Sequence, residues 1–486
     1  MVSCIPEDDA RRAGASGCAC CKPLVHAANR RIDEGLSRRG FVAGMGVSLA
    51  ALGFTRGAGA RPETAAPRIV LTNFRLFDGR SAGLREGLRL FVEGDRIKAF
   101  EAGDPGAPEG ARVIDCGGRT VTPGLIDAHW HTIFAGLSVS SLLSADIGYI
   151  FLAASAEAER TLMRGFTTVR DLGGPSFALK QAIDDGLARG PRIFPSGAMI
   201  TTTGGHGDLR PLSDVPRSPG GPASSLERKG AASIADSADE VRLRVREQLL
   251  QGASQIKLVG GGGVSSPRTT LDMLTFGESE MRAGVEAAAD RNTYVAVHAY
   301  SSAAVRRALA AGVQCIEHGH LMDEETAKLM ADKGAWLSAQ PFLSEEDTGR
   351  LTGQSRLNAL QVFEGTNSLY RLAKEHGIRT AFGSDLLFSS DLARRQGVML
   401  THLRRWYDSA EILRMATSVN GELLGLSGPR NPYPGKIGVV EKDALADLLV
   451  VDGDPIADIA VLETAETSLA LIMKGGKIYK NTIERR

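Results

Sequence analysis

The chain has 486 residues and is 43% hydrophobic, enough for one large domain with a sizeable core and a smaller one beside it. Lysine plus arginine and aspartate plus glutamate both total 57, so the formal net charge is zero, and the composition supports neither a nucleic-acid partner nor an anionic membrane surface. Of six cysteines, Cys4, Cys18, Cys20 and Cys21 crowd the first 21 residues, leaving Cys116 and Cys315 for the rest, which argues against a disulfide framework.

Residues 1–60 read as a leader. Ser37–Phe41 is SRRGF, followed by the apolar run VAGMGVSLAALGF and the small-residue pattern Ala58-Gly59-Ala60. Charged, apolar, then A-x-A is the layout of an export signal, and the run is too short to span a bilayer. The pair Arg38-Arg39 resembles a twin-arginine signal, which implies export of a folded protein to the periplasm. A membrane-anchored start is the alternative, because the stretch before the arginines is long. The CACC run at 18–21 has no second cysteine cluster to complete a metal site.

Residues 61–120 hold short β-rich runs separated by Asp-Gly, Ser-Ala-Gly and Glu-Gly-Asp turn signals, and read as antiparallel sheet. Residues 429–486 mirror them with ADLLVVDGDP and LALIMKGGKIYKN. Neither end is long enough to bury a core alone, so the two are predicted to build one small β-sandwich domain. Between them, over 121–428, eight apolar runs alternate with helical patterns: VTPGLIDAHWH, TTVRDLG, PRIFPSG, SQIKLVGG, YVAVHAY, CIEHGH, AWLSAQP and RTAFGSD. Strand–helix alternation of this length predicts an α/β fold, a (β/α)8 TIM barrel. Residues 208–238, rich in Pro, Gly and Ser, read as a long loop between the third and fourth strands. No spanning segment is expected in the mature chain.

The histidines break the apolar logic. His129 and His131 stand in LIDAHWHT, and on a strand residues i and i+2 share a face. Lys257, His298, His318 and Asp385 follow, each in or just after a later apolar run. Taken singly, each has a plain structural reading: a hydrogen-bonded core histidine, a helix-capping aspartate, a paired buried lysine. Four imidazoles, a carboxylate and an amine at the C-terminal rim of one barrel point instead to a metal centre. An ammonium is a poor ligand, but a lysine amine that adds carbon dioxide becomes a carbamate whose two oxygens can bridge two divalent cations.

In this arrangement (HxH after strand one, Lys after strand four, His after five and six, Asp after eight) the chain resembles the amidohydrolase superfamily. VTPGLIDAHWHT, IKLVGGGG, IEHG and AFGSD are similar to its imidazolonepropionase-like and Xaa-Pro-dipeptidase-like branch. The resemblance implies two divalent metal ions, usually zinc. It implies His129, His131 and Asp385 on one, His298 and His318 on the other, and N6-carboxylated Lys257 across both. It further implies a bridging hydroxide that attacks an amide carbonyl, with Asp385 carrying the proton to the leaving nitrogen. The expected substrates are dipeptides or N-acyl amino acids. A cyclic amide of the lactam or imidazolone type is the alternative within enzymes, and a non-catalytic metal- or ligand-binding barrel the alternative outside them.

Substrate contacts are expected from the loops. His206 sits among glycines in TTTGGHGD and is a candidate for holding substrate or a developing oxyanion. Tyr300 shares the face of His298, and Arg268 in SSPRTT is a candidate partner for a substrate carboxylate. His206 and Tyr300 join Asp385 as candidate catalytic groups, and His320 shares the face of His318. The partner is thus a small-molecule or peptide substrate, and a homo-oligomer is left open.

Overall fold

The computed structural model describes residues 68–103, 106–215 and 221–483; the export signal and the N-terminal cysteines lie outside the described residues. Among the described residues, no helix is long and apolar enough to cross a membrane. The fold is α/β with mixed sheets.

Both chain ends share one seven-stranded sheet. Its strands are β1 (Arg68–Leu76), β2 (Leu88–Glu93), β3 (Arg96–Ala102), β4 (Arg112–Pro123), β15 (Leu448–Val451), β16 (Leu469–Lys474) and β17 (Lys477–Asn481), in the order β17-β16-β15-β4-β1-β2-β3. The order corrects the antiparallel expectation at one seam, because β1 and β4 pair in parallel. The β2–β3 hairpin takes one edge of β1, and the chain returns along the other edge in the same direction as β1. β4 runs on to Pro123, where it pairs with Leu448, so the sheet extends past residue 120. Apolar side chains from both termini, among them Leu71, Ile97, Leu448 and Leu471, bury one face in a common cluster.

Between the ends lie ten parallel strands in two sheets. One holds β5 (Leu125–Trp130), β6 (Phe166–Asp171) and β7 (Arg192–Pro195). The other runs β14-β13-β12-β11-β10-β8-β9, from β14 (Thr380–Phe382) through β13 (Trp336–Ala339), β12 (Cys315–Leu321), β11 (Val295–Ser301) and β10 (Ile256–Val259) to β8 (Met199–Thr201) and β9 (Ala232–Ile234). Every residue of β5, β6, β10 and β13 is buried, as expected of parallel strands covered on both faces. That burial is why these strands read as apolar runs. Two strands lie outside the eight runs: β8, which continues the third, and β9, which falls within 208–238. The segment 208–238 is therefore only partly loop; it also holds the capped turn Ser225–Arg228.

Hydrogen bonds bridge the gaps between the two parallel sheets. At one gap the Ser254 N–H donates to Pro195 O at 2.8 Å, and the Gln255 amide donates to Phe194 O at 2.8 Å. At the other, the Asp385 N–H donates to His129 O at 2.8 Å, and the Asn420 amide donates to Ile126 O and Phe382 O at 2.7 and 2.8 Å.

Candidate metal centre

Six side chains that the sequence singles out line one small enclosed pocket of about 40 Å³: His129, His131, Lys257, His298, His318 and Asp385. His129 lies on β5 with His131 just past its end, Lys257 on β10, His298 on β11, His318 on β12, and Asp385 three residues beyond β14. The four imidazoles and Lys257 are at most 4% exposed. Close backbone approach makes this possible. A Cβ on Gly383 would stand 2.4 Å from His129 Cβ, and one on Gly263 would stand 2.4 Å from His206 Nδ1. The glycines of AFGSD and GGGG are therefore spacers between the strands that carry the site.

Each imidazole spends one nitrogen on a protein acceptor. His131 Nδ1 lies 3.1 Å from Gly173 O, His298 Nε2 lies 2.9 Å from Gly262 O, and His318 Nδ1 lies 2.7 Å from Gln340 Oε1. His129 Nδ1 lies 2.8 Å from Glu317 Oε2. At His131, His298 and His318 the engaged nitrogen is the donor, because its partner only accepts; at His129 the Glu317 oxygen makes an ion-pair approach off hydrogen-bond geometry, and Gln340 Nε2 lies 3.2 Å from the same Nδ1. In a neutral ring of that tautomer the other nitrogen is a free lone pair, the form a cation binds. The His129 ring centroid is 5.4 Å from His131 and 5.0 Å from His318, and His298 and His318 are 4.3 Å apart.

Asp385 Oδ1 lies 3.4 Å from His129 Nε2 and 3.2 Å from His131 Nε2, yet it is buried without a hydrogen bond of acceptable geometry. Lys257 Nζ approaches His129 Nε2 at 3.5 Å, and no carboxylate among the described residues lies within ion-pair reach of it. Ligand atoms of His129, His318 and Asp385 all fall within 4.8 Å of one another. Orphaned buried groups in a native fold call for a missing partner, and a cation is the partner this donor set fits.

The electrostatics agree. Burial lowers the His129 imidazole to about 4 despite Asp385 beside it, and drives His298 and His318 well below their usual range. Burial also lowers the Lys257 amine, against the pull of Glu317 and Asp385. For Asp385, burial works upward, but His129, His131 and Lys257 outweigh it and hold the carboxyl low. Burial thus favours the neutral form of His129, His298 and His318, beside an ionised Asp385. Two of its residues sit in the left-handed backbone region, His318 at φ 78° and Asp385 at φ 50°, a strain that clusters at functional positions.

A larger cavity of about 680 Å³ opens over this pocket, and His206, His298 and Asp385 line both. His206 stacks on His298 at 4.4 Å between centroids, and its Nδ1 lies 2.8 Å from Ser266 Oγ. Tyr300 lines the cavity and lies flat against His318, with centroids 4.6 Å apart. His320 is buried with Nε2 on Gln340 O and Nδ1 unpartnered. Arg268 stands apart from this group. It is exposed, donates to Arg210 O at 3.3 Å and lines neither cavity; the guanidiniums at the larger cavity belong to Arg350 and Arg395. Glu317, Gln340 and Arg170 were not singled out from the sequence. The signal was a charged residue inside a buried strand, Glu in CIEHGH and Arg in TTVRDLG.

A model of the amidohydrolase family matches residues 120–478. The chain is similar to ochratoxinase of Aspergillus niger, 30% identical over 328 residues, a stretch that spans 66% of each chain and so just under two thirds of that relative. It is 30% identical over 272 residues to imidazolonepropionase of Anaeromyxobacter sp. (strain K), covering 51% of this chain and 61% of that one. Among solved structures it is similar to a prolidase complexed with N-methylphosphonate-L-proline, at 33% identity and a TM-score of 0.78, over 85% of this chain and 100% of that one. The chain belongs to the amidohydrolase family.

Proposed function

We propose that the protein hydrolyses the amide bond of dipeptides or N-acyl amino acids with a pair of divalent cations, zinc in the first instance. The observation that carries this reading is the pocket where four imidazoles, each with one nitrogen already engaged, surround an unpaired lysine amine and an orphaned carboxylate oxygen. His129, His131 and Asp385 would hold one cation and His298 and His318 the other, with N6-carboxylated Lys257 shared. Burial supports the last point, because only a neutral amine adds carbon dioxide and burial favours the neutral form. When bound, the cations supply a Lewis acid and lower the pKa of water towards about 7.

The remaining steps belong to side chains. Asp385 takes the proton of the attacking water and delivers it to the leaving nitrogen, since an amine must leave protonated. Burial pushes the Tyr300 phenol well up, so it stays a donor and can hydrogen-bond the scissile carbonyl oxygen. His206 Nδ1 is engaged by Ser266, which leaves Nε2 for the same oxygen or for the substrate. Arg350, exposed at the wall of the larger cavity, takes the role that Arg268 cannot reach and pairs with a substrate carboxylate.

The bonded gaps between the parallel sheets support closure into a (β/α)8-type barrel over 121–428, with 61–120 and 429–486 forming the small β domain. The Arg38-Arg39 signal supports export to the periplasm, which fractionation of expressing cells would check. A cyclic-amide substrate is the second reading, favoured by the similarity to imidazolonepropionase. The deciding experiment is metal analysis of the purified protein with turnover of a dipeptide and N-acyl amino acid panel, before and after chelation. Two equivalents of metal and chelator-sensitive hydrolysis are expected. Two equivalents with no hydrolysis across a panel that includes cyclic amides would make it a binding protein.

A further inference from the structure

Three of the four imidazoles lean on neutral acceptors: Gly173 O, Gly262 O and the Gln340 amide oxygen. His129 alone has a carboxylate at the nitrogen turned away from Asp385, with Glu317 Oε2 2.8 Å from its Nδ1. Glu317 is fully buried, and its other oxygen is 2.6 Å from Nη2 of Arg170, which is also fully buried. Arg170 in turn donates through Nε to Ala128 O at 2.5 Å and through Nη1 to the Tyr294 hydroxyl at 3.1 Å. The guanidinium thus grips the strand that carries His129 at the residue next to it, while its partner carboxylate grips the ring.

Gln340 Nε2 also comes within 3.2 Å of His129 Nδ1. Both contacts cannot be hydrogen bonds, because a protonated Nδ1 does not accept. Glu317 Oε2 stands off the line of a hydrogen bond to the ring, but a carboxylate oxygen 2.8 Å away attracts an Nδ1–H and repels an Nδ1 lone pair, so the Nδ1–H form prevails. The Gln340 amide nitrogen has Ser338 O at 3.3 Å as its alternative, which leaves Oε1 for His318. Burial opposes the charge on Glu317, but Arg170 outweighs it and holds the carboxyl well below the usual carboxylate range. A buried ion pair is weak evidence for stability, since two apolar side chains of similar volume often serve as well. Its placement behind a single imidazole calls for another explanation.

We infer that Arg170 and Glu317 are a positioning dyad that fixes His129 in its Nδ1–H form and enriches Nε2, so that the two cation sites are unequal and the one built on His129 is the stronger for it. A carboxylate behind a ligating imidazole raises its basicity and fixes its orientation, and losing that carboxylate typically costs 10–100-fold in metal affinity. The inference rests on the metal reading above.

The test uses full-length, zinc-reconstituted protein and its Glu317→Gln variant, with bound metal followed by elemental analysis against a graded chelator. Wild type is expected to hold two equivalents. Glu317→Gln is expected to release one equivalent at a roughly 10–100-fold lower chelator concentration and keep the other at wild-type strength. In cobalt-substituted protein, the absorption bands of one site move and those of the other stay. Arg170→Gln added to Glu317→Gln should weaken that site by less than about twofold more, because the pair acts as a unit. The inference is overturned if both equivalents keep wild-type affinity, if both fall together with the melting temperature, or if the second substitution multiplies the loss. Wild-type protein that holds no metal overturns the metal reading itself, and the inference with it, before any variant is made.

Discussion

Asp447, beside β15 in the seven-stranded sheet, and Asp385, beyond β14, are both buried or nearly so, and they are treated very differently. Both Asp447 oxygens are taken, by Arg192 Nε and Nη2 at 2.8 and 3.1 Å and by the Gly475 N–H at 2.7 Å. Asp385 keeps Oδ1 without a hydrogen bond, on a residue held at φ 50°. The same contrast extends outward. The terminal sheet packs its apolar faces from both chain ends into one cluster, whereas the parallel sheets gather imidazoles, an amine and a carboxylate round a void. One region satisfies its polar atoms and so contributes stability; the other leaves them open and so contributes a site.

Substitutions can break this contrast from either side. Lys257→Ala should have the largest effect: turnover falls to background and bound metal drops from two equivalents towards one, as elemental analysis would record. Asp385→Asn keeps the shape and removes the proton carrier, so kcat should fall by about 10³-fold while KM changes little. In the terminal sheet, Leu471→Ala removes a fully buried side chain and should cost about 2–5 kcal/mol in denaturant unfolding. The kcat per folded molecule should stay at the wild-type value.

A pH titration sharpens the comparison. Burial lowers His129, His206 and His320 from the usual 6.5 to about 4. A neutral buried imidazole binds fewer protons than its unfolded counterpart. Metal-free protein should therefore be most stable above about pH 6.5 and lose stability as pH falls towards 4. A melting temperature that rises over that interval would contradict the assignment of these rings as neutral. The smallest effects belong to the surface. Arg268→Ala should leave KM within about twofold, since it lines neither cavity, while Arg350→Ala should raise KM about tenfold for carboxylate-bearing substrates.

Much of the site could be read from the chain because its chemistry is out of place. His129, Lys257, His298 and His318 each interrupt an apolar run, and an ionisable group in a fully buried strand must have a partner or a task. The supporting residues were harder to see. Gln340 looks like any loop amide until the fold sets it against His318, and Glu317 shows its use only once β12 brings it against His129 and Arg170. Arg268 shows the converse error: a position after β10 brought it near the site in sequence, but the loop turns its side chain outward.

The amino-acid order by itself determined eight of the ten parallel strands, since burial on both faces writes a continuous apolar run, and it determined the six polar residues in or just after those runs, since nothing in a core requires them. Tertiary structure alone decided the parallel pairing of β1 with β4, the short β8 and β9, and the choice of Glu317 and Arg170 to stand behind His129. Those depend on which distant segments meet. Local spacing specifies the face a side chain shares, while the packing of remote strands specifies the neighbour it finds there.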